Sequence, residues 1–342
     1  MARLARADVF DPAEVSVFHC INRCVRRCFL CGLDPLTGVN YDHRKAWLED
    51  RLRFLAGQFG IDVLGFSIMS NHFHLVLRNR PDVVATWSDT EVATRWLMLC
   101  PVRKTEDGGP AEPTDAELDT IRRVPERLAV IRRRLSDISW LMRMIAEPIA
   151  RRANYEDRVN GRFWQGRFRA VKLLDEAAVL ACAVYVDLNP IRAGLAETPE
   201  MSDFTSAQRR IESLDEPEGG AERRDAWLSP VPLDEATTPP GPQASSSGSR
   251  TSDKGFLPMS LSEYLQLLDW TGRQIARGHG GTIPPHLPPL LSRLGIAEPH
   301  WLPLVTGFGR LFHRVAGAPR SLARLNKRRT FRPGQAKLLG QA

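Results

Sequence analysis

The stretch Ser67–Arg80, SIMSNHFHLVLRNR, constrains the fold more than any other part of the 342-residue chain. Its apolar run has room for one regular element, and its alternation has the two-residue period of a strand. Phe73, Leu75 and Leu77 then point to one side, and His72, His74, Val76 and Arg78 to the other. Two imidazoles on one strand face can direct ring nitrogens at a single metal ion. Alternatively they are a pair of partly exposed histidines that hold no ligand.

The flanking sequence predicts what surrounds this strand. Residues 15–27, VSVFHCINRCVRR, read as a first strand rich in β-branched and aromatic residues. From Arg44 to Phe59, Leu48, Leu52, Leu55 and Phe59 recur at helical spacing among charges, as in an amphipathic helix. IDVLGFSIM and HFHLVLRNR follow as two strands joined at Ser70 and Asn71. Strand, helix, strand, strand opens a split β-α-β layout. The predicted class is therefore α+β, a ferredoxin-like antiparallel sheet with helices on one face.

Further along, residues 83–153 are mostly helical, with a break at KTEDGGPAEPTD and a helical insertion over about 88–137. GRFWQGRFRAVKLL reads as a basic, aromatic strand. Asp175 is a suitable N-cap for EAAVLACAVYVDL, a helix that Pro190 stops. The periodicity weakens after Ile211, and PPGPQASSSGSRTSDKG reads as flexible linker. The expected organisation is a catalytic domain over 1–210, a linker over 211–256, and a small helical extension over 257–342, with one amphipathic helix at Leu261–Ala276. Arg320–Lys337 carries seven Lys and Arg and no acid, a phosphate-attracting arm.

Charge and composition narrow the partners. Lys and Arg number 47 against 40 acids, a formal net charge of +7, which favours an anionic partner such as nucleic acid. No segment approaches ~18 uncharged apolar residues, and the N-terminus lacks a signal-peptide core, so the expected compartment is the cytoplasm, with no membrane partner. Cys20, Cys24, Cys28 and Cys31 are separated by three, three and two residues, unlike paired C-x2-C knuckles. That spacing favours small apolar thiols packed on strand faces over a structural zinc site.

A second informative stretch is AVYVDLNPIRAGL, Ala183–Leu195. Most positions of its helix are small or apolar, so it is packed on several sides; Tyr185, Asp187 and Asn189 are the polar exceptions. Tyr185 and Asn189 are four apart and share a helix face. On their own they read first as a packed tyrosine and a helix-capping amide.

SNHFHLVL followed about a hundred residues later by YVDLNPIRAGL resembles the single-tyrosine HUH transposases, in particular the REP-associated tyrosine transposase group. The resemblance covers roughly Val15–Arg210, including FHCINRCVRR and GRFWQGRF. It implies a ferredoxin-like fold, with His72 and His74 as the metal pair, Tyr185 as the nucleophile and Asn189 as a third, amide ligand. It further implies magnesium or manganese, where bare ligand chemistry would equally accept zinc or nickel. The implied reaction is cleavage and rejoining of single-stranded or hairpin DNA through a 5′-phosphotyrosine link, by a monomer or homodimer. The insertion and the C-terminal extension depart from the pattern. Arg162, Trp164, Arg167 and Arg169 are the expected DNA contacts, guanidiniums for phosphates and aromatic rings for bases. Two rivals stand beside this reading: a DNA-binding regulator that no longer cuts, and a metallohydrolase that would not need Tyr185.

Overall fold

The computed structural model describes residues 11–25, 30–34, 38–216, 223–233, 241–277 and 286–328. Strand β1 (Ser16–Arg23) leads into helix α1 (His43–Gln58), then the hairpin β2 (Ile61–Ile68) and β3 (His72–Asn79). Five helices follow: α2 (Pro81–Thr86), α3 (Asp89–Leu99), α4 (Asp115–Arg122), α5 (Pro125–Arg134) and α6 (Ile138–Glu156). β4 (Arg169–Leu173) returns the chain to the sheet. Beyond it come α7 (Glu176–Asp187), α8 (Asn189–Arg192), α9 (Ser206–Glu212), α10 (Leu261–Arg277), α11 (Leu287–Arg293) and α12 (Glu298–Leu311). The two-residue strand β5 (Val315–Ala316) and α13 (Pro319–Arg328) close the described chain.

The fold is α+β, and the sheet order is β2-β3-β1-β4-β5. β3 lies antiparallel between β2 and β1, and β1 lies antiparallel between β3 and β4. Each crossover therefore skips one strand, which is the split β-α-β arrangement predicted from the sequence. β5 adds a short parallel edge to β4.

Both faces of the sheet are apolar, and each has its own cover. Phe18, Cys20, Phe73, Leu75 and Leu77 face a core filled by Leu48, Leu52 and Leu55 of α1 and Leu141, Met142 and Ile145 of α6. Leu64, Val76, Val171 and Leu173 face a second core built by α7, α10 and α12. Helices on one face describe the two crossovers only. The opposite face is closed by the helices after β4, because its strand side chains are also hydrophobic and need burial. This places α7 over the face that carries His72 and His74.

α7 is rich in alanine and small enough to sit close on both sheet and α12. Asp175 caps its N-terminus, accepting from the Ala178 amide at 3.0 Å, as its sequence position predicts. At its other end buried Asp187 accepts from the Ala207 amide (3.1 Å), the Ser206 hydroxyl and the Tyr264 hydroxyl (2.6 Å). Burial raises its pKa. Tyr264 belongs to α10, so the C-terminal helices are keyed onto α7 through a buried polar contact as well as through apolar packing.

Two expectations are corrected here. The described part of the linker is built into the fold. Thr251 and Ser252 are buried, Thr251 donates to the Phe59 carbonyl at 2.6 Å, and Ser252 donates to Asp62. Its composition signals weak hydrophobic drive, but its hydroxyls are used as hydrogen-bond donors against the end of β2. The expected basic arm begins as helix α13, anchored by buried Leu322; the rest of that arm, like Cys28, lies outside the described residues. Cys20, Cys24 and Cys31 are buried in the first core, and burial pushes the Cys31 thiol up to about 12. No helix among the described residues is long and apolar enough to cross a membrane.

Candidate active site

Register assembles the site. Pairing of β1 with β3 puts Ile21 opposite His74 and Arg23 opposite His72, and pairing with β4 puts Ile21 opposite Arg169. His72 and His74 share a strand face, with ring centroids 4.8 Å apart. Tyr185 of α7 stands edge-on to His74, at 5.6 Å between centroids. The three side chains line one cavity of about 380 Å³.

One ring nitrogen of each imidazole is engaged by a neighbour. His72 Nδ1 lies 2.6 Å from the Asn71 amide oxygen, which can only accept, so Nδ1 carries the proton and Nε2 keeps its lone pair. His74 Nδ1 lies 2.8 Å from Nε2 of His19 on β1. His74 Nε2 is buried without a hydrogen-bond partner. An orphaned buried polar nitrogen costs about 1–3 kcal/mol, which makes it the exception in this part of the fold. Burial, followed by neighbouring charge from Arg23, lowers His72 to about 4. Burial lowers His74 well below its ordinary value, with His19, His72 and the nearby arginines adding to it. His19 falls to about 3 for the same first reason. All three rings are neutral at pH 7, the form in which a histidine can ligate a metal.

The imidazole pair therefore fits a divalent ion. The third ligand implied by the resemblance stands differently. Asn189 is buried one turn beyond Tyr185, its amide oxygen accepts from Arg192 at 3.3 Å, and its amide nitrogen has no partner. It is not a wall of the cavity. Among the described residues no three His, Cys, Asp or Glu side chains converge as a metal cage.

Charge in the cavity has one sign. Arg23, Arg167, Arg169, Arg192 and Arg310 line it, and no Asp or Glu does among the described residues. Arg192 is held in place by the Thr306 carbonyl (3.0 Å) and Asn189, with its guanidinium 4.5 Å over the Tyr185 ring. Tyr185 is 8% exposed and leans on Phe308 of α12 at 5.7 Å. A Cβ on Gly309 would sit 2.7 Å from the Tyr185 hydroxyl, so the glycine is what leaves that oxygen its space.

The four expected DNA contacts divide. Arg167 and Arg169 reach the cavity; Arg162 is exposed but lies outside it. Trp164 lies outside the first cavity. The segment is not yet strand at this point: Val25 and Gln165 amides bond across to Phe163 and Arg23, which turns the aromatic side chains inward. Trp164 is largely buried: it donates its indole N–H to the Ala146 carbonyl at 2.7 Å, packs edge-on against Phe73 and Phe163, and lines a second cavity rather than the first. Phe163 is buried as well. That second cavity, of about 410 Å³, shares Asn22, Gly166 and Arg167 with the first and is edged by Trp140 and Phe168.

Sequence reasoning missed His19, Arg23, Arg192, Gly309 and Arg310. His19 alternates correctly in FHCIN, but its meeting with His74 depends on strand register. Arg192, three residues after Asn189, carried a usable signal, since positions i and i+3 share a helix face.

A solved structure of a REP-associated tyrosine transposase bound to a REP hairpin is similar to this chain at 11% identity. The match covers 59% of this chain and 82% of that one, with a TM-score of 0.34. No family model and no curated protein matches.

Proposed function

We propose that this protein cleaves and rejoins single-stranded, hairpin-bearing DNA, with Tyr185 as the nucleophile. The observation that carries the reading is the composition of one cavity: a tyrosine hydroxyl, two imidazoles and five guanidiniums, with no carboxylate in its lining among the described residues. Guanidiniums grip phosphate oxygens through paired N–H donors, and a cavity of one sign concentrates a polyanion.

In this reading Arg167, Arg169 and Arg192 hold the backbone of the strand so that the scissile phosphorus faces the Tyr185 hydroxyl. Tyr185 attacks, its proton leaves to solvent, and the bond to the 3′-oxygen breaks. A 5′-phosphotyrosine link and a free 3′-hydroxyl result. The link keeps a phosphodiester's bond energy, so a 3′-hydroxyl can reverse the step without ATP. His72 and His74 would hold a magnesium or manganese ion, which would supply Lewis-acid polarisation of a phosphate oxygen, and Asn189 would have to leave Arg192 to join them. His19 holds the His74 ring from behind, as partners of ligating histidines generally do.

The regulator reading has two observations in its favour. Tyr185 is almost covered and Asn189 is engaged by Arg192. An assay on end-labelled single strands carrying a hairpin, with manganese, magnesium or chelator, separates the two. Metal-dependent nicking at one position is expected; tight binding without cleavage under every condition would favour the regulator.

A further inference from the structure

α12 belongs to the C-terminal extension, outside the Val15–Arg210 stretch that carries the sequence resemblance, yet it forms one side of the cavity. Thr306, Gly309 and Arg310 all line it. They lie three and four residues apart, the spacing that puts side chains on one helix face. The contacts run both ways. Arg192 donates to the Thr306 carbonyl, Phe308 stacks on Tyr185, and Gly309 abuts the tyrosine hydroxyl. Arg310 is exposed, and no carboxylate pairs with it among the described residues. An unpaired guanidinium that opens on a carboxylate-free cavity beside a hydroxyl is placed for an anion that approaches that hydroxyl.

We propose that α12 is a wall of the DNA-binding site: Arg310 holds a backbone phosphate of the strand next to Tyr185, and Gly309 keeps the hydroxyl's approach open. The proposal rests on the single-stranded DNA reading above. It gives the C-terminal extension a direct part in substrate binding.

The test uses the full chain and a fluorescein-labelled hairpin oligonucleotide with a single-stranded flank, titrated by anisotropy across salt concentrations. Arg310→Ala should weaken binding about three- to tenfold and lower the salt slope by about one, as the loss of one phosphate contact does. Arg310→Lys should recover most of the affinity. Arg151→Ala, an exposed arginine on α6 away from the cavity, should change little. Gly309→Ala should leave affinity within about twofold while cutting at least tenfold more slowly, because its methyl takes the space of the reacting oxygen. If the unmutated chain fails to bind the oligonucleotide, the DNA reading falls and this proposal with it. If it binds and cuts while Arg310→Ala matches Arg151→Ala in affinity and slope, or binds more tightly than the parent, α12 is no DNA wall and the DNA reading stands.

Discussion

The two ends of β3 treat buried polar groups in opposite ways. At its last residues, Arg78 and the adjoining Arg80 are buried with every need met. Asp62 accepts from Arg78 (2.8 Å) and Arg80 (3.1 Å), Ser252 donates to the same carboxylate, and Arg78 also donates to the Gly255 and Lys254 carbonyls. Near its first residues, His74 Nε2 is left without a partner. His74 and Arg78 lie on the same face of the same strand, four residues apart. Burial therefore does not explain the difference. A fully satisfied network fixes structure, and an orphaned nitrogen in a charged cavity is what the proposed metal site would use.

Breaking the satisfied end should cost the most stability. Asp62→Ala leaves two buried guanidiniums without their shared carboxylate, and unfolding in urea should show a loss of about 3–5 kcal/mol. His74→Ala should invert that pattern. Its stability should fall by less than about 2 kcal/mol, while cleavage falls at least about 10²-fold, the scale of losing one transition-state stabiliser. DNA affinity should stay near wild type, since it comes from the arginines. Equal losses of stability in the two variants would remove the distinction between the ends.

The contrast was partly legible in the sequence. The alternation around His72 and His74 located the strand and its faces, and Asp175 and Pro190 bracketed the tyrosine helix, because these signals are local. The Asp62–Arg78–Arg80–Ser252 knot was not legible. It joins residues nearly two hundred positions apart, through a segment whose Ser, Gly and Pro content argues for flexibility. The placing of Trp164 was not legible for a related reason. Composition says aromatic and basic, but which side chains point inward is settled by pairing with the end of β1. Arg310 sits in a helix whose destination only the tertiary fold reveals.

Smaller effects sharpen the picture. Arg169→Ala should weaken DNA binding several-fold with a lower salt slope, whereas Trp164→Phe should leave affinity unchanged and reduce thermal stability slightly, through the lost bond to Ala146. Acid should also act on the histidine end. His19, His72 and His74 have folded pKa values below their unfolded ones, so between about 3 and 6.5 the unfolded chain binds more protons. Stability contributed by the neutral rings is present above pH 6.5 and is lost as pH falls through that window. The urea midpoint should therefore drop on going from pH 7 to pH 5, and a His19→Leu, His74→Leu double variant should show a flatter dependence. An unchanged slope in that variant would place the acid sensitivity elsewhere.

The central claim is that Tyr185 is the nucleophile, and the most direct measurement traps its product. Of the other tyrosines, Tyr264 is buried with its hydroxyl on Asp187, and Tyr155 is exposed on α6, away from the cavity. Incubating the protein with a cleavable strand and mapping the covalent protein–DNA adduct by mass spectrometry should find it on Tyr185. The adduct should vanish in Tyr185→Phe, which keeps the ring and its packing. Cleavage by the unmutated protein without any adduct, or an adduct that persists in Tyr185→Phe, would contradict the account.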